Sequence, residues 1–233
     1  MKIIIANWKM NGNRKLLDKT LSELGKIRTK NRVILCVPYT LLRRGDKNAD
    51  FGAQNISTSK SGAFSGQISA DMVAETGAKY TIVGHSEVRK FMHLNNSDVL
   101  MTAENAINAG LIPIICIGET ATEHRTGRTN DVIKSQLREC IPQIPSGRVI
   151  IAYEPRWAIG AGKIPQISEI AKVHKLVRAE LNKMGLTSSI LYGGSVNASN
   201  AHEIMSVPNV DGVLVGGVSL KTSEFITIIN SAN

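Results

Sequence analysis

The stretch VIIAYEPRWAIGAGK, residues 149–163, joins a short apolar run to a loop rich in glycine. The run ends at Glu154, and a proline follows that glutamate directly. A short, nearly continuous apolar run that closes at a breaker is typical of a β-strand buried on both faces. The stretch therefore predicts a parallel strand that presents a carboxylate at its end.

Seven further runs of the same kind recur along the chain. They are KIIIANWK (2–9), RVILCVP (32–38), DFGAQN (50–55), YTIVGH (80–85), IPIICIG (112–118), ILYGGS (190–195) and GVLVGG (212–217). Each run closes at glycine, proline or a polar residue, as buried strands commonly do. Together with residues 149–154, they predict eight strands.

Amphipathic stretches lie between the predicted strands, for example at residues 15–29, 97–110 and 168–185. In the last of these, apolar residues recur at helical spacing, and Ser168 with Glu169 predicts a capped start. A glycine closes each of the last two stretches and predicts a helix end there. The sequence thus alternates strand and helix from end to end.

Strand starts about 30 residues apart, with no break in composition, favour one (β/α)8 barrel over residues 1–233 rather than a doubly wound sheet. The second unit is short, because only residues 39–49 separate its strand from the next and leave room for about one helical turn. Residues 56–69 form the opposite case, a long Ser/Gly-rich loop with Phe64 near its tip. Because a large aromatic side chain exposed to solvent commonly marks an interaction surface, we expect a partner-binding arm here rather than a flexible surface loop.

The composition narrows the class of protein. The formal net charge of +9 fits a generic basic surface, steering of an anionic substrate or nucleic-acid binding. The basic residues are scattered and aromatic residues make up only 4%, so stacking of nucleic-acid bases is not expected. No apolar run approaches the roughly 18 residues that a membrane helix needs.

The three cysteines, Cys36, Cys116 and Cys140, are widely spaced, and two of them lie inside apolar runs. This pattern predicts reduced, mostly buried thiols and not a disulfide framework or a zinc site. The first residues have an apolar stretch too short for the core of a signal peptide. We therefore expect a soluble cytoplasmic protein.

Polar residues stand at several of the predicted strand ends, where barrels of this kind carry their active sites. Asn7 and Lys9 close the first strand and, being two apart, lie on the same face. His85 closes the fourth strand and Glu154 the sixth. Each has an ordinary structural explanation when taken alone, but together on one rim they indicate a site.

Strands seven and eight end in glycine pairs, within GGS at 193–195 and VGG at 215–217. Without a Cβ, the backbone N–H groups can approach a phosphate closely, which favours a phosphate site at this rim. No Cys/His cluster has the spacing of metal ligands, and no dinucleotide fingerprint opens a helix. Neither a metal nor a cofactor is therefore expected.

The chemistry of each polar group suggests a role. A helix start after His85 would lower the pKa of its imidazole and favour the neutral form. Glu154 becomes a competent base toward carbon once water is excluded. Nothing near Lys9 in sequence would activate its amine as a nucleophile, so we expect it to act electrostatically.

Six segments together closely resemble the signature segments of the triosephosphate isomerase family. They are ANWKMNG, VGHSE, CIGE, AYEPRWAIGAGK, LYGGSV and GVLVGGVSL, in the family's order and spacing over nearly the whole chain. The resemblance implies a cofactor-free barrel enzyme of glycolysis and gluconeogenesis that interconverts dihydroxyacetone phosphate and glyceraldehyde 3-phosphate through an enediolate. It also implies a homodimer in which residues 56–69 insert beside the partner's active site.

Site residues carry over from the same resemblance. Glu154 would accept the proton, the neutral His85 would act as electrophile, Lys9 would stabilise the enediolate, and Asn7 would help to position the substrate. Residues 155–163 would form a lid over the carboxylate. The residues whose backbone amides would hold the phosphate are Gly160, Ser195, Gly216 and Gly217.

The chain departs from the family pattern at four places outside the catalytic positions. Gln67 and Val88 replace a charged pair that meets across the family's dimer interface. The loop carries Arg156 where the family usually has an uncharged residue, and Pro165 restricts its far hinge. The fourth departure is the short second unit.

Two alternatives stay open at this point. Another phosphosugar barrel enzyme, an aldolase or lyase, would share the glycine pairs but would need an activated lysine on an inner strand. A barrel kept only for binding would be expected to lose Glu154 or His85, and the chain has both.

Overall fold

The computed structural model describes residues 1–143, 147–159 and 165–232. Eight parallel strands form a closed barrel in chain order, each paired with the next and the eighth with the first. The strands are β1 (Ile3–Asn7), β2 (Arg32–Cys36), β3 (Asp50–Ala53), β4 (Tyr80–Val83), β5 (Ile112–Ile117), β6 (Ile150–Tyr153), β7 (Ser189–Tyr192) and β8 (Gly212–Val215). The predicted barrel and its eight strands are confirmed, and each strand is shorter than its apolar run.

Helices alternate with the strands around the barrel. The α-helices in the described ranges are α1 (Arg14–Leu24), α2 (Ala70–Glu75), α3 (Ser86–Phe91), α4 (Asn96–Asn108), α5 (Ala121–Arg125), α6 (Thr129–Cys140), α7 (Ile167–Lys183), α8 (Ala201–Ser206) and α9 (Thr222–Asn230). Short 3-10 turns lie at Tyr39–Leu41 and Gly217–Leu220. The first of these is the whole helical content between β2 and β3, a stretch described in full, so the predicted short second unit is confirmed.

The start of α7 differs from its prediction. The helix begins at Ile167, and the side chain of Glu169 accepts a hydrogen bond of 2.8 Å from the backbone N–H of Gln166. The predicted cap at Ser168 is therefore wrong, because the chain already has helical geometry there. The predicted glycine stops are confirmed, since Gly110 and Gly185 follow α4 and α7 with φ of 83° and 71°.

Alternate side chains of each strand fill the barrel and the layer outside it. On β1, Ile3 and Ile5 belong to the inner cluster, whereas Ile4 and Ala6 pack in the layer between strands and helices. The inner cluster is Ile3, Ile5, Ile34, Cys36, Tyr80, Ile82, Ile114, Cys116, Ile150, Ala152, Leu191 and Leu214. A packed interior leaves the carboxyl ends of the strands and their loops to form a site.

The three cysteines are free and buried, as the sequence predicts. Cys36 and Cys116 lie in the inner cluster, and Cys140 lies under the outer helices. In the part of the chain that is described, no helix is both long and apolar enough to cross a membrane.

Residues 56–69, the predicted arm, form an ordered loop. Its base is closed by a hydrogen bond of 2.8 Å from the N–H of Ser57 to the carbonyl of Ile68, and its tip by one of 3.0 Å from Gln67 N–H to the carbonyl of Phe64. The Phe64 side chain is 47% exposed, although it lies close to Gly62. The loop therefore presents an aromatic ring to solvent, as expected.

Candidate active site

A cleft of about 320 Å³ opens where the strands end. Its lining is Asn7, Lys9, His85, Glu154, Ile159, Gly193, Gly194, Ser195, Val196, Asn197, Leu214, Gly216, Gly217 and Val218. The structure thus brings together every predicted site residue except Gly160, which lies outside the described residues. Ile159 belongs to the predicted lid, of which residues 160–163 lie outside the described ones. The other apolar members and Asn197 were not predicted, because nothing in their local sequence marks them.

Glu154 lies at the floor of this cleft with only 2% of its surface exposed. Its Oε2 accepts a hydrogen bond of 2.9 Å from the backbone N–H of Ser86 at the start of α3. Its Oε1 lies 3.1 Å from Nε2 of His85, but the two are not aligned as a hydrogen bond, and Oε1 has no donor among the described residues. One carboxylate oxygen is therefore held by a hydrogen bond, and the other accepts none from the described residues.

Two glycines make room for Glu154. A Cβ on Gly118 would lie 1.7 Å from the carbonyl oxygen of Glu154, and a Cβ on Gly193 would lie 2.9 Å from its Cγ. The backbone of Glu154 is held by a hydrogen bond of 2.7 Å from its N–H to the carbonyl of Ile117. Glu154 is thus packed between the ends of β5 and β7 at distances that only glycine permits.

The charge state of Glu154 follows from its neighbours. Burial raises the pKa of Glu154, but the attraction of His85 and the hydrogen bond from Ser86 outweigh burial and hold the pKa below its ordinary value. The carboxyl group is therefore ionised near neutral pH, as a base must be.

His85 precedes α3 as its N-cap, and its Nδ1 accepts a hydrogen bond of 3.2 Å from the backbone N–H of Glu87. In this arrangement Nδ1 carries no proton, and Nε2 carries the proton that faces the cleft. Burial lowers the pKa of His85, but the attraction of Glu154 and Glu87 outweighs it, and the pKa is raised. The expectation of a lowered pKa is therefore wrong for this arrangement, because a local helix-end effect is smaller than a carboxylate 3.1 Å away.

Lys9 enters the cleft from an unusual backbone conformation. Its φ is +54°, a left-handed value that is costly for a residue with a side chain. The Asn7 side chain accepts a hydrogen bond of 3.0 Å from Lys9 N–H, and Lys9 Nζ lies 2.6 Å from Glu87 Oε1. Glu87 thus contacts two predicted residues of the site, Lys9 and His85. No role was predicted for Glu87, because its position at a helix start has an ordinary structural explanation.

The glycine rim is open toward the cleft. A Cβ at Gly217 would meet nothing within 4 Å, and one at Gly216 would lie 3.6 Å from Cε of Lys9. Ser195 Oγ donates to the carbonyl of Ala158 at 3.2 Å, and the Ser195 carbonyl accepts a hydrogen bond of 3.1 Å from Asn200 Nδ2. This open backbone beside an ammonium is suited to an anionic group.

Glu119 is a buried carboxylate that supports the segment after Glu154. It is 0% exposed, and its Oε1 accepts hydrogen bonds of 3.2 Å from the Tyr153 hydroxyl and 2.8 Å from Trp157 Nε1. Its carbonyl accepts a third bond, of 3.1 Å, from the N–H of Arg156. Glu119 directly follows an apolar run, as Glu154 does, so a signal for a functional carboxylate was present, but no role was predicted for Glu119.

Metal ligation has no candidate in the ranges that the structure describes: no three His, Cys, Asp or Glu side chains there are placed to hold an ion. The cleft instead offers an ionised carboxylate, an imidazole N–H, an ammonium and exposed backbone amides. Such a set can take a proton from a carbon acid and stabilise the oxyanion that results.

Known proteins match this chain over nearly its whole length. The family model for triosephosphate isomerase matches residues 2–232. The triosephosphate isomerase of Rhizobium meliloti (strain 1021) is 42% identical over 240 residues, which cover 97% of this chain and 94% of that protein. The enzyme of the same name from Ruegeria sp. (strain TM1040) is 42% identical over 238 residues, covering 98% and 96%.

A solved structure agrees with these relatives. The crystal structure of triosephosphate isomerase from Bartonella henselae matches with a TM-score of 0.90 and 34% identity, over 99% of this chain and 98% of that one. With sequence, fold and cleft in agreement over this length, the chain belongs to the triosephosphate isomerase family.

Proposed function

We propose that this chain interconverts dihydroxyacetone phosphate and glyceraldehyde 3-phosphate, with Glu154 as the base that moves the proton. The observation that carries the assignment is the ionised carboxylate of Glu154, which is buried in the cleft with one oxygen uncommitted. His85 and Lys9 line the same cleft, so a bound substrate can contact all three side chains.

The reaction moves one proton between neighbouring carbons. Glu154 takes a proton from C1 of dihydroxyacetone phosphate. The electron pair of the broken C–H bond forms a C1=C2 double bond, and the π pair of the C2 carbonyl moves onto its oxygen to give an enediolate. The Lys9 ammonium stabilises the charge on that oxygen, and His85 passes its Nε2 proton to the oxygen. The protonated Glu154 then returns the proton to C2 while His85 takes the hydroxyl proton from O1, which gives glyceraldehyde 3-phosphate.

The protonation state of the His85 imidazole depends on the position of the Glu154 carboxylate. In the structure Glu154 lies against Ser86 N–H, and its attraction raises the pKa of His85. When Glu154 turns toward a substrate carbon, this attraction weakens, whereas burial and the charge of Lys9 continue to lower that pKa. The imidazole then acts as a neutral donor, with its proton on Nε2 because Glu87 N–H occupies Nδ1.

The phosphate group fits the glycine rim. Backbone amides of Ser195, Gly216 and Gly217 would hold it, with Gly160, which lies outside the described residues, as a fourth donor. Asn7 would help to position the substrate, and its side chain also supports the backbone of Lys9.

The contacts of Lys9 argue against a Schiff-base aldolase or lyase. Among the described residues, Lys9 is the lysine that lines the cleft, and its Nζ lies 2.6 Å from the Glu87 carboxylate. An ammonium held in such a pair is a poor nucleophile, since nucleophilic amines need to be deprotonated.

A coupled assay with purified protein and glyceraldehyde 3-phosphate tests the function. We expect dihydroxyacetone phosphate as the sole product and, in D2O, carbon-bound deuterium from exchange at Glu154. The matched control is Glu224→Gln, which changes an exposed pair with Lys221 and should leave turnover unchanged. Carbon–carbon cleavage would favour the aldolase alternative, and no turnover would favour a binding protein.

We further propose that two copies associate through the arm, residues 56–69, in the cytoplasm. A second cleft of about 470 Å³, beside the base of the arm, is lined in part by Tyr39, Val88 and Met92. Exposed Phe64 from a second copy would fit this lining, and with Gln67 and Val88 in place of a charged pair the association would depend on apolar burial. The three free buried thiols fit a reducing compartment.

A further inference from the structure

The segment that follows Glu154 makes a ring contact outside the cleft. The imidazole of His124 stacks on the indole of Trp157, with ring centroids 4.1 Å apart and ring planes inclined by 19°. His124 lies on the short helix α5, and Trp157 lies three residues after Glu154. The stack therefore joins an outer helix to the segment that carries the proposed base.

The indole of Trp157 is held from two sides. Its Nε1 donates a hydrogen bond of 2.8 Å to Oε1 of the fully buried Glu119, and His124 Nδ1 lies 3.5 Å from the same oxygen. The hydrogen bond sets the direction of the ring, and the stacked imidazole covers one of its faces. Loss of the imidazole would leave that orientation to the single hydrogen bond.

Movement of the indole would be transmitted to Glu154 through a short stretch of paired backbone. The N–H of Glu154 donates to Ile117, and the N–H of Arg156 donates to Glu119, at 2.7 and 3.1 Å. The bond from Trp157 to Glu119 is the next attachment along the same edge. These three attachments are consecutive, and the next one is the bond from Ser195 Oγ to the carbonyl of Ala158. Weakening the attachment at Trp157 therefore loosens the chain between the proposed base and Ala158.

We propose that His124 is a positioning residue for the reaction: its ring holds Trp157 against Glu119 and so limits the movement of Glu154. The inference rests on the proposed function, because it concerns the placement of the proposed base. Aromatic ring pairs of this kind shift a local equilibrium by about two- to tenfold. An effect of that size is measurable in turnover.

Two substitutions separate the ring from its polar atoms. His124→Ala removes the stack but keeps a strong helix former on α5, whose start is held by Thr120 and Glu123. His124→Phe keeps a ring and removes the nitrogen near Glu119. We expect the alanine variant to lose about three- to tenfold in kcat with KM changed less than about twofold, and the phenylalanine variant to stay within about twofold of the unmodified chain. Arg125→Ala, at an exposed neighbour on α5, is the control and should change neither constant.

Quenching of tryptophan fluorescence by acrylamide gives a readout that does not depend on activity. Trp8 and Trp157 are the two tryptophans, and Trp8 is fully buried, so quenching reports mainly on Trp157. His124→Ala should increase quenching, and His124→Phe should not. Unchanged quenching in the alanine variant, a native kcat in that variant, or a phenylalanine variant that behaves like alanine would each overturn the inference. A lack of isomerase activity in the unmodified chain would instead refute the proposed function, and the quenching experiment tells the two failures apart.

Discussion

Gly118→Ala introduces the smallest side chain at the tightest point of the site. The new Cβ would lie 1.7 Å from the carbonyl oxygen of Glu154 and 2.6 Å from its carbonyl carbon, whereas real Cβ atoms essentially never come closer than 3.0 Å to another heavy atom. Relief of this clash therefore requires the backbone of Glu154 or Gly118 to move by at least about 1.3 Å. Since both atoms that collide with the Cβ are backbone atoms, a rotamer change cannot absorb the shift.

The expected result is a large loss of turnover. Misplacement of a catalytic group by about 1 Å can cost about a hundredfold, so kcat should fall by roughly that factor or more. The coupled assay gives kcat and KM, and far-UV circular dichroism with a thermal melt shows whether the barrel is intact. Gly193→Ala is a milder companion variant, because its Cβ would meet the Glu154 side chain at 2.9 Å, and it should lose about tenfold or more.

The control for these variants is Gly25→Ala at the end of α1. Gly25 has φ −66° and would place its Cβ no closer than 3.4 Å to a neighbour, so alanine there should be neutral or slightly stabilising. A folded Gly118→Ala protein with native turnover would show that the backbone position of Glu154 does not govern the reaction.

Three further predictions concern charge, pH and association. Lys9→Met should lower kcat by about 100- to 1000-fold in the coupled assay, whereas Lys79→Met, at an exposed pair with Asp50, should leave it unchanged; equal activities would remove Lys9 from the site. Burial lowers the pKa of His174 to about 4. Below about pH 6.5, this histidine is therefore protonated in the unfolded chain but stays neutral in the folded chain. The free energy of unfolding should fall by about 3 kcal/mol as the pH drops from about 6.5 to about 4. Urea unfolding across this range checks it, and a His174→Asn variant that keeps the same slope would contradict it. Phe64→Ala should weaken the proposed self-association by about 2 kcal/mol, about 30-fold in Kd, while the proposed dimer of the unmodified chain should withstand high salt. Sedimentation equilibrium measures both effects, and dissociation in high salt would show that charges hold the two copies together.

The strands were predictable because each is buried on both faces, and burial leaves a continuous apolar run in the sequence. Their polar ends were predictable for the same reason, since Glu154 and His85 interrupt apolar runs at the carboxyl end of a strand. The cap of α7 was not predictable from residue type, because Gln166 is not among the usual N-cap residues. Its hydrogen bond with Glu169 became evident only from the structure.

Other features depend on contacts between distant parts of the chain. The pKa of His85 is raised by Glu154, a residue 69 positions away, so an argument from the adjacent helix alone gave the wrong direction. Position 118 requires glycine because the end of β6 approaches the end of β5 closely there. The sequence around residue 118 alone could not predict this contact. The His124–Trp157 stack likewise joins two separate βα loops.

The most direct test of the account is the turnover of Glu154→Asp. Aspartate keeps the charge but withdraws the carboxylate by about one methylene from a cleft in which Gly118 and Gly193 fix its backbone and side chain. We expect a kcat at least about a hundredfold lower, with KM for glyceraldehyde 3-phosphate changed only severalfold and the thermal melt unaltered. A folded aspartate variant with near-native kcat would show that Glu154 is not the base and that another group takes the proton.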